Sequence, residues 1–179
     1  GCRATNYIAL IRKALRESGN PQVPVISLAA VKLDEQNPGF KLTPNLLKAA
    51  VYCVLFGDVM MQMLYRTRPY EATPGSANAL FEEYMERARK LAPKFTRRSF
   101  TRLSREAIRA FDTLPLVGEG TKPRVGVVGE ILVKFHPTAN NHVVEVIESE
   151  GCEAVVPGLL DFFLYSMSNA KVQKDELGS

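Results

Sequence analysis

Cysteine is the residue type in this 179-residue chain whose chemistry is most distinctive, and it occurs three times. Cys2, Cys53 and Cys152 include no CxxC pair, so the sequence predicts neither a disulfide framework nor a self-contained zinc site. Cys53 lies in an apolar stretch and is predicted to be a small core residue. Cys2 comes just ahead of a predicted helix and beside Arg3. Both features stabilise a thiolate, so Cys2 is the residue best suited to metal ligation.

The common catalytic and nucleotide-binding motifs do not occur in the sequence. No GxSxG, HExxH or P-loop string is present, and Gly126 and Gly129 in VGVVGE lack the spacing of a dinucleotide fingerprint. His136 and His142 lie on either side of a predicted helix start, and we interpret both as structural. No reaction can therefore be inferred from a single motif.

Two arginines close a predicted apolar helix in the segment LYRTRPYE. Arg66 and Arg68 lie beside Tyr65 and Tyr70. A guanidinium holds a phosphate or carboxylate bidentately, so we predict that Arg66 and Arg68 bind substrate or form an interface. The alternative is a favourable charge at the C-terminus of a helix.

Two further substrate-binding candidates follow from the position of ligands in α/β folds, at the carboxyl ends of parallel strands. Glu130 follows a predicted strand directly. Asn140 lies in the turn Thr138–Asn141, which is predicted to open a helix whose free N–H groups could hold an anion. The alternative for this turn is simple capping by Thr138.

Hydrophobic patterns predict three short buried strands and four principal helices in the rest of the chain. The strands are Val23–Ala29, Pro123–Gly129 and Ala154–Pro157, and their predicted buried residues are Val25, Ile26, Val125, Val127, Val155 and Val156. The helices run from Pro44 to about Tyr65, from Thr73-Pro74 to Leu91, from Ser99 to Phe111 and from Thr138 to Glu150. The first is apolar nearly all round and is predicted to be buried. Ala79 of the second helix and Leu103, Ala107, Ile108 and Phe111 of the third are predicted to face inward. Gly19 and Gly151 are each predicted to end a helix.

The order of these elements predicts one three-layer α/β domain over residues 1–179. Strand, helix and strand after Pro123 form a βαβ unit, which implies a short parallel sheet. The helices between about residues 41 and 114 form a helical insertion. Because both ends lack the character of natural termini, we expect the chain to be a piece of a larger protein.

Composition is that of a soluble protein with a mild positive charge, +4 and a pI of about 9.0. No signal peptide or membrane span is expected, and we predict a cytoplasmic location. Basic residues concentrate between Lys94 and Arg105. A solvated helix face is the favoured interpretation, and nucleic-acid binding is not expected. The alternative function is a non-catalytic interaction domain whose basic helices dock a partner subunit.

Three strings in the chain resemble one family. GCRATNY at the start, LYRTRPYE at Leu64–Glu71 and RVGVVGEILVKFHPTANNHVVEVIESEGCEAVVPG at Arg124–Gly158 are similar to segments of 2-hydroxyglutaryl-CoA dehydratase-like proteins. The subgroup that fits best is the long CoA-substrate-specific enzyme activases, in which an ATPase part is joined to dehydratase-like parts. The similarity spans almost the whole chain.

The resemblance implies a 2-hydroxyacyl-CoA dehydratase-like iron–sulfur protein. In this family ATP hydrolysis drives a low-potential electron towards acyl-CoA chemistry, and cysteines hold [4Fe–4S] clusters. By position, Cys2 and Cys152 become the candidate cluster ligands. A cluster needs about four thiolates, so further ligands must come from the rest of the parent chain or from a dehydratase or electron-donor subunit. The ATPase motifs lie outside this stretch, and we expect the isolated piece to be inactive.

Overall fold

The chain divides into two compact units, residues 1–44 and residues 45–179. A computed structural model of the protein describes residues 6–25, 43–118, 121–165 and 168. In the first unit, α1 (Tyr7–Glu17) ends before Gly19, whose φ of +78° gives the left-handed stop that the sequence predicts. No residue of α1 is buried. Of the predicted strand Val23–Ala29, residues 23–25 are not in a strand, and the rest, including Ile26, lies outside the described residues.

The second unit is mostly helical and contains a short sheet. Its elements in chain order are α2 (Pro44–Thr67), α3 (Ser76–Leu91), α4 (Arg97–Asp112), β1 (Arg124–Gly126), α5 (Ile131–Phe135), α6 (Val143–Ser149), β2 (Glu153–Val155) and α7 (residues 159–165). The first residue of α2, Pro44, is the last residue of the first unit. Single 3₁₀ turns follow α2 and α3, at Arg68–Tyr70 and Ala92–Lys94.

Helices α2, α3 and α4 pack around one apolar core. Its buried members are Phe56, Met60 and Leu64 of α2, Ala77, Tyr84 and Ala88 of α3, Phe95, and Leu103, Ala107 and Phe111 of α4. The three α4 residues recur at helical spacing, as the sequence predicts. The predicted inward residue Ile108 is instead 37% exposed, since it lies at the flank of that stripe. In α3, Ala79 is likewise exposed and Ala77 takes the buried place.

The sheet consists of β1 and β2, which pair in parallel with Val125 opposite Ala154. A second apolar cluster covers it: Val127, Val144, Ala154 and Val156 are buried, with Met61 and Tyr65 of α2 packed against them. Helix α2 therefore contributes to both clusters. The short parallel sheet is confirmed, and the mostly helical structure is compatible with the predicted α/β class, whereas the three-layer arrangement is not confirmed.

The valines that the sequence predicts to be buried differ in their actual burial. Val127 and Val156 are buried, Val155 and Val25 are half-buried, and Val125 is 38% exposed. The prediction for Val125 is wrong. A continuous apolar run indicates a strand covered on both faces, but the described part of the sheet has only two strands, and β1 stays open to solvent.

The first half of α2 is less buried than its apolar composition predicts. Leu46 and Leu47 are exposed, and Cys53, predicted to be a core residue, is exposed as well. The helices α3 and α4 bury the stripe that begins at Phe56, so burial starts about one turn after Cys53. The prediction of a fully buried helix is therefore wrong for this half.

The helical stretch Pro44–Tyr70 is also long enough and apolar enough to cross a membrane, because an 18-residue window within it has a mean hydropathy of 1.4. Core helices of soluble proteins meet the same criterion. In this stretch Phe56, Met60 and Leu64 pack into the helical core. The cytoplasmic location stays a prediction.

An acidic residue inside α2 fixes the start of α7. The Asp58 carboxylate accepts hydrogen bonds from the backbone N–H groups of Leu159 and Leu160, both at 2.8 Å. These are N–H groups that a helix leaves without an internal partner. Gly158 permits the approach, because a Cβ at this position would lie 2.8 Å from Asp58 Oδ2. Asp58 thus joins two elements about 100 residues apart in sequence.

Candidate functional site

A cleft of about 340 Å³ runs between the last turns of α2 and strand β2. One wall is formed by Gln62, Tyr65 and Arg66 of α2. The other follows β2 from Glu153 to Pro157 and continues to Asp161 in α7, with Arg124 at the start of β1. Cleft residues thus come from α2, both strands and the segment that follows β2. Arg124 and Glu153 are the first residues of their strands and Pro157 follows the end of β2, so the cleft extends along the whole of β2.

The two arginines of the cleft differ in how they are bound. Arg124 Nε lies 3.1 Å from Oε1 of Glu153, whose side chain is only 10% exposed. The hydroxyl of Tyr70 donates to Oε2 of the same carboxylate at 3.0 Å and accepts from the backbone N–H of Lys122 at 2.9 Å. Arg66, in contrast, is exposed and has no hydrogen bond or ion pair to any described residue. Its guanidinium is available to a ligand.

Tyr65 supplies a neutral polar group beside Arg66. Burial raises the pKa of the Tyr65 phenol, and this outweighs the opposite effect of the nearby Arg68 guanidinium. The phenol therefore keeps its proton throughout the neutral range and can act as a hydrogen-bond donor. Asp161 is less available, because its Oδ2 accepts the backbone N–H of Gly158 at 3.0 Å.

Arg68, the second arginine that the sequence singles out, is bound within the protein. Its Nε and Nη2 donate to the two carboxylate oxygens of Glu148 in α6, at 2.7 and 3.0 Å. A third bond joins Nη1 to Oδ1 of Asn78 at 3.1 Å, and the guanidinium lies 5.4 Å from the centre of the Tyr65 ring. Both charged side chains of the pair are largely buried. Arg68 therefore ties the end of α2 to α6.

Glu130 and Asn140 serve as helix caps. Glu130 Oε2 accepts from the N–H groups of Leu132 and Val133, at 2.8 and 3.1 Å, at the start of α5. Asn140 Oδ1 accepts from the N–H of Val143 at 3.3 Å, and its Nδ2 donates to the carbonyl of Lys134 at 3.1 Å. Neither residue lines the cleft beside β2.

The helix predicted from Thr138 to Glu150 begins later than predicted. Residues 137–142 form turns, and α6 starts at Val143, after Asn141 and His142, which have φ values of +56° and +54°. Asn141 and His142 end the turn in the left-handed region, so the helix cannot extend back through them. Thr138 is therefore not its cap. The end of α6 agrees with the prediction, since Gly151 follows it with a φ of +79°.

The cysteines do not form a metal centre within the described part of the chain. No group of three or more His, Cys, Asp or Glu side chains there is arranged to hold a metal ion. Cys152 is half-buried just before β2, and its Sγ lies 3.9 Å from the carbonyl oxygen of Glu150. Cys2 lies outside the described residues. The cluster of an intact parent stays a prediction.

Sequence reasoning found Arg66 but missed the rest of its surroundings. Gln62, Arg124 and Asp161 were not among the predicted site residues. Comparisons of the chain with protein-family models, with curated proteins and with solved structures give no match.

Proposed function

We propose that the chain is a segment of a 2-hydroxyacyl-CoA dehydratase-like iron–sulfur protein and that it contributes an anion-binding cleft for the acyl-CoA substrate. The intact parent would take part in ATP-driven, low-potential electron transfer to acyl-CoA chemistry. The observation that carries the proposal is the free, exposed guanidinium of Arg66 at the cleft beside β2. The similarity of LYRTRPYE and of Arg124–Gly158 to the family supports it, because both strings contribute residues to this cleft.

The chemistry of the cleft suits one end of a CoA thioester. Arginine recognises phosphate and carboxylate through paired N–H donors, and a protonated Tyr65 adds a neutral donor for a hydroxyl or carbonyl oxygen. The volume of about 340 Å³ is at the lower end of the range for small-molecule sites. The cleft would thus hold the acyl group or a single phosphate rather than the whole cofactor-bearing substrate.

The remaining features of the proposal concern the intact parent. There the sheet would carry helices on both faces, in three layers. Cys2 and Cys152 would contribute to a [4Fe–4S] cluster together with thiolates from the rest of the parent chain or from a dehydratase or electron-donor subunit. A cytoplasmic location suits this oxygen-sensitive chemistry.

Calorimetric titration of the 179-residue protein with CoA and a 2-hydroxyacyl-CoA tests the cleft. We expect Arg66→Gln to weaken binding roughly 10- to 100-fold, the effect of losing charge-assisted hydrogen bonds. Arg89→Gln, which removes another exposed arginine that does not line the cleft, is the matched control and should leave binding unchanged. Equal affinity of the wild-type and Arg66→Gln proteins would remove the cleft from the proposal.

A separate experiment tests the cluster. Cys2→Ser in the full-length parent, purified without oxygen, should lower the iron and sulfide content per chain. Cys53→Ser is the control, because Cys53 has no position in the family strings. Unchanged iron and sulfide in Cys2→Ser would exclude Cys2 as a ligand while leaving the test of the cleft unaffected.

A further inference from the structure

The outer face of α4 carries a row of arginines. Arg98, Arg102, Arg105 and Arg109 are exposed, and their spacing of four, three and four residues places them within an arc of about 60°. We call these four residues the arginine row. Along the helix the row is about 16 Å long at 1.5 Å per residue. The buried residues Leu103, Ala107 and Phe111 occupy the opposite side of α4.

Most of this charge is not neutralised within the protein. Among the described residues, Arg98, Arg105 and Arg109 have no carboxylate partner, and Arg102 makes only a 3.9 Å contact with Glu106. Glu106 is itself bound to Arg87 of α3. A solvated helix face usually alternates charges of both signs. The arginine row instead presents one sign on a rigid, packed helix.

We propose that the arginine row is a docking surface for an acidic helix of a partner protein. A partner helix with carboxylates at the same spacing of three and four residues would meet all four guanidinium groups. Each could then form a paired, bidentate contact. This inference is independent of the acyl-CoA cleft, because the two share no residue.

The surroundings of the arginine row disfavour other polyanions. Single-stranded nucleic acid needs exposed aromatic platforms, but Phe95 is buried and Phe100 is packed against Tyr52, with ring centres 5.4 Å apart. A broad duplex laid across α4 would also meet carboxylates of α3, where Glu83 lies 3.7 Å from Arg87 beside the row. A membrane needs a free apolar helix face, and that face of α4 is buried.

The test uses a fluorescently labelled, hydrocarbon-stapled helical peptide with four glutamates at this spacing. Anisotropy titrations with the full 179-residue chain are run at low ionic strength, where surface charges are least screened. We expect Arg98→Gln/Arg105→Gln to weaken binding roughly 2- to 30-fold, the range for two exposed ion pairs. Arg16→Gln/Arg89→Gln removes the same net charge from residues that are not part of α4 and should have little effect.

Two further probes make the result decisive. A peptide of the same composition, with its glutamates distributed around the helix, should bind more weakly than the matched peptide. A duplex DNA oligonucleotide should also bind more weakly. Four results would each overturn the proposal: no binding of the matched peptide, equal binding of the redistributed peptide, tighter binding of the duplex, or a control variant that weakens binding as much as Arg98→Gln/Arg105→Gln. Circular dichroism of each variant confirms that α4 is intact, since glutamine is a good helix former.

Discussion

The ion pair between Arg68 and Glu148 allows a quantitative test of how the end of α2 is held to α6. Two hydrogen bonds of 2.7 and 3.0 Å join the groups, and their side chains are 17% and 13% exposed. Removing one partner of a fully buried pair costs about 3–5 kcal/mol, whereas an exposed pair contributes about 0.2–1 kcal/mol. The limited exposure places this pair between these limits. We therefore expect a coupling free energy of about 2 kcal/mol.

A double-mutant cycle with Arg68→Ala and Glu148→Ala isolates that coupling from the contacts Arg68 makes with Asn78 and Tyr65. Because the chain contains no tryptophan, urea unfolding is followed by far-UV circular dichroism. For a chain of this length, a loss of about 2 kcal/mol corresponds to a fall in melting temperature of roughly 4–8 °C.

The same cycle on an exposed pair of the same unit provides the control. Lys90 and Glu86 are 3.6 Å apart, with side chains 75% and 45% exposed, and their coupling should be about 0.3–0.5 kcal/mol. A coupling for Arg68 and Glu148 no larger than this would refute the argument. It would mean that solvent screening, not the bidentate geometry, dominates at that position.

Three other substitutions test the helix caps. Glu71 accepts hydrogen bonds from Gly75, Ser76 and Ala77; although burial by itself would raise the pKa of Glu71, these bonds and Arg68 together lower it. The stability that the Glu71 carboxylate contributes is thus complete above its ordinary pKa of 4.5 and is lost as the pH falls through the lowered pKa. Glu71→Gln should therefore lower the free energy of unfolding by about 1 kcal/mol at pH 7 and by progressively less below pH 4.5. A pH-independent difference between the two proteins would contradict this. Asp58→Ala should speed hydrogen exchange of the amides at 159–165 about tenfold, and unchanged exchange would exclude Asp58 as their cap. Gly158→Ala should lower the free energy of unfolding by about 1–3 kcal/mol, because the added Cβ would lie 2.8 Å from Asp58 Oδ2. A variant as stable as the wild type would show that the carboxylate moves aside easily.

Local signals in the sequence located most helices and the sheet, because those signals depend on nearby residues alone. Helical spacing of Leu103, Ala107 and Phe111 predicted the buried side of α4, and Gly19 and Gly151 predicted two helix ends. Helix starts were less reliable. The pair Thr73-Pro74 indicated the start of α3, yet the helix begins at Ser76. Glu71, five residues before this start, accepts hydrogen bonds from the Ser76 hydroxyl and the Ala77 backbone N–H, so the cap depends on a turn that no local rule specifies.

Burial was predicted less well, because it depends on which elements meet. Val125 and Val127 are equivalent in the sequence pattern, but only Val127 is covered by the residues around α6. The roles of Arg66 and Arg68 show the same limit. They are two residues apart in one string, and both suit anion binding. Only the long-range position of Glu148 decides that Arg68 is bound internally while Arg66 faces the cleft.

The polar residues of α2 contain a signal that hydropathy conceals. Asp58, Gln62 and Tyr65 are spaced at four and three residues and therefore share one side of the helix, with Arg66 beside them. The core residues Phe56, Met60 and Leu64 lie roughly on the opposite side. A helix that is only a core element has no requirement for a polar row at helical spacing. In α2 this row caps α7 through Asp58 and lines the cleft beside β2. The periodicity of the polar residues, rather than that of the apolar ones, is therefore the pattern from which the candidate site could have been predicted.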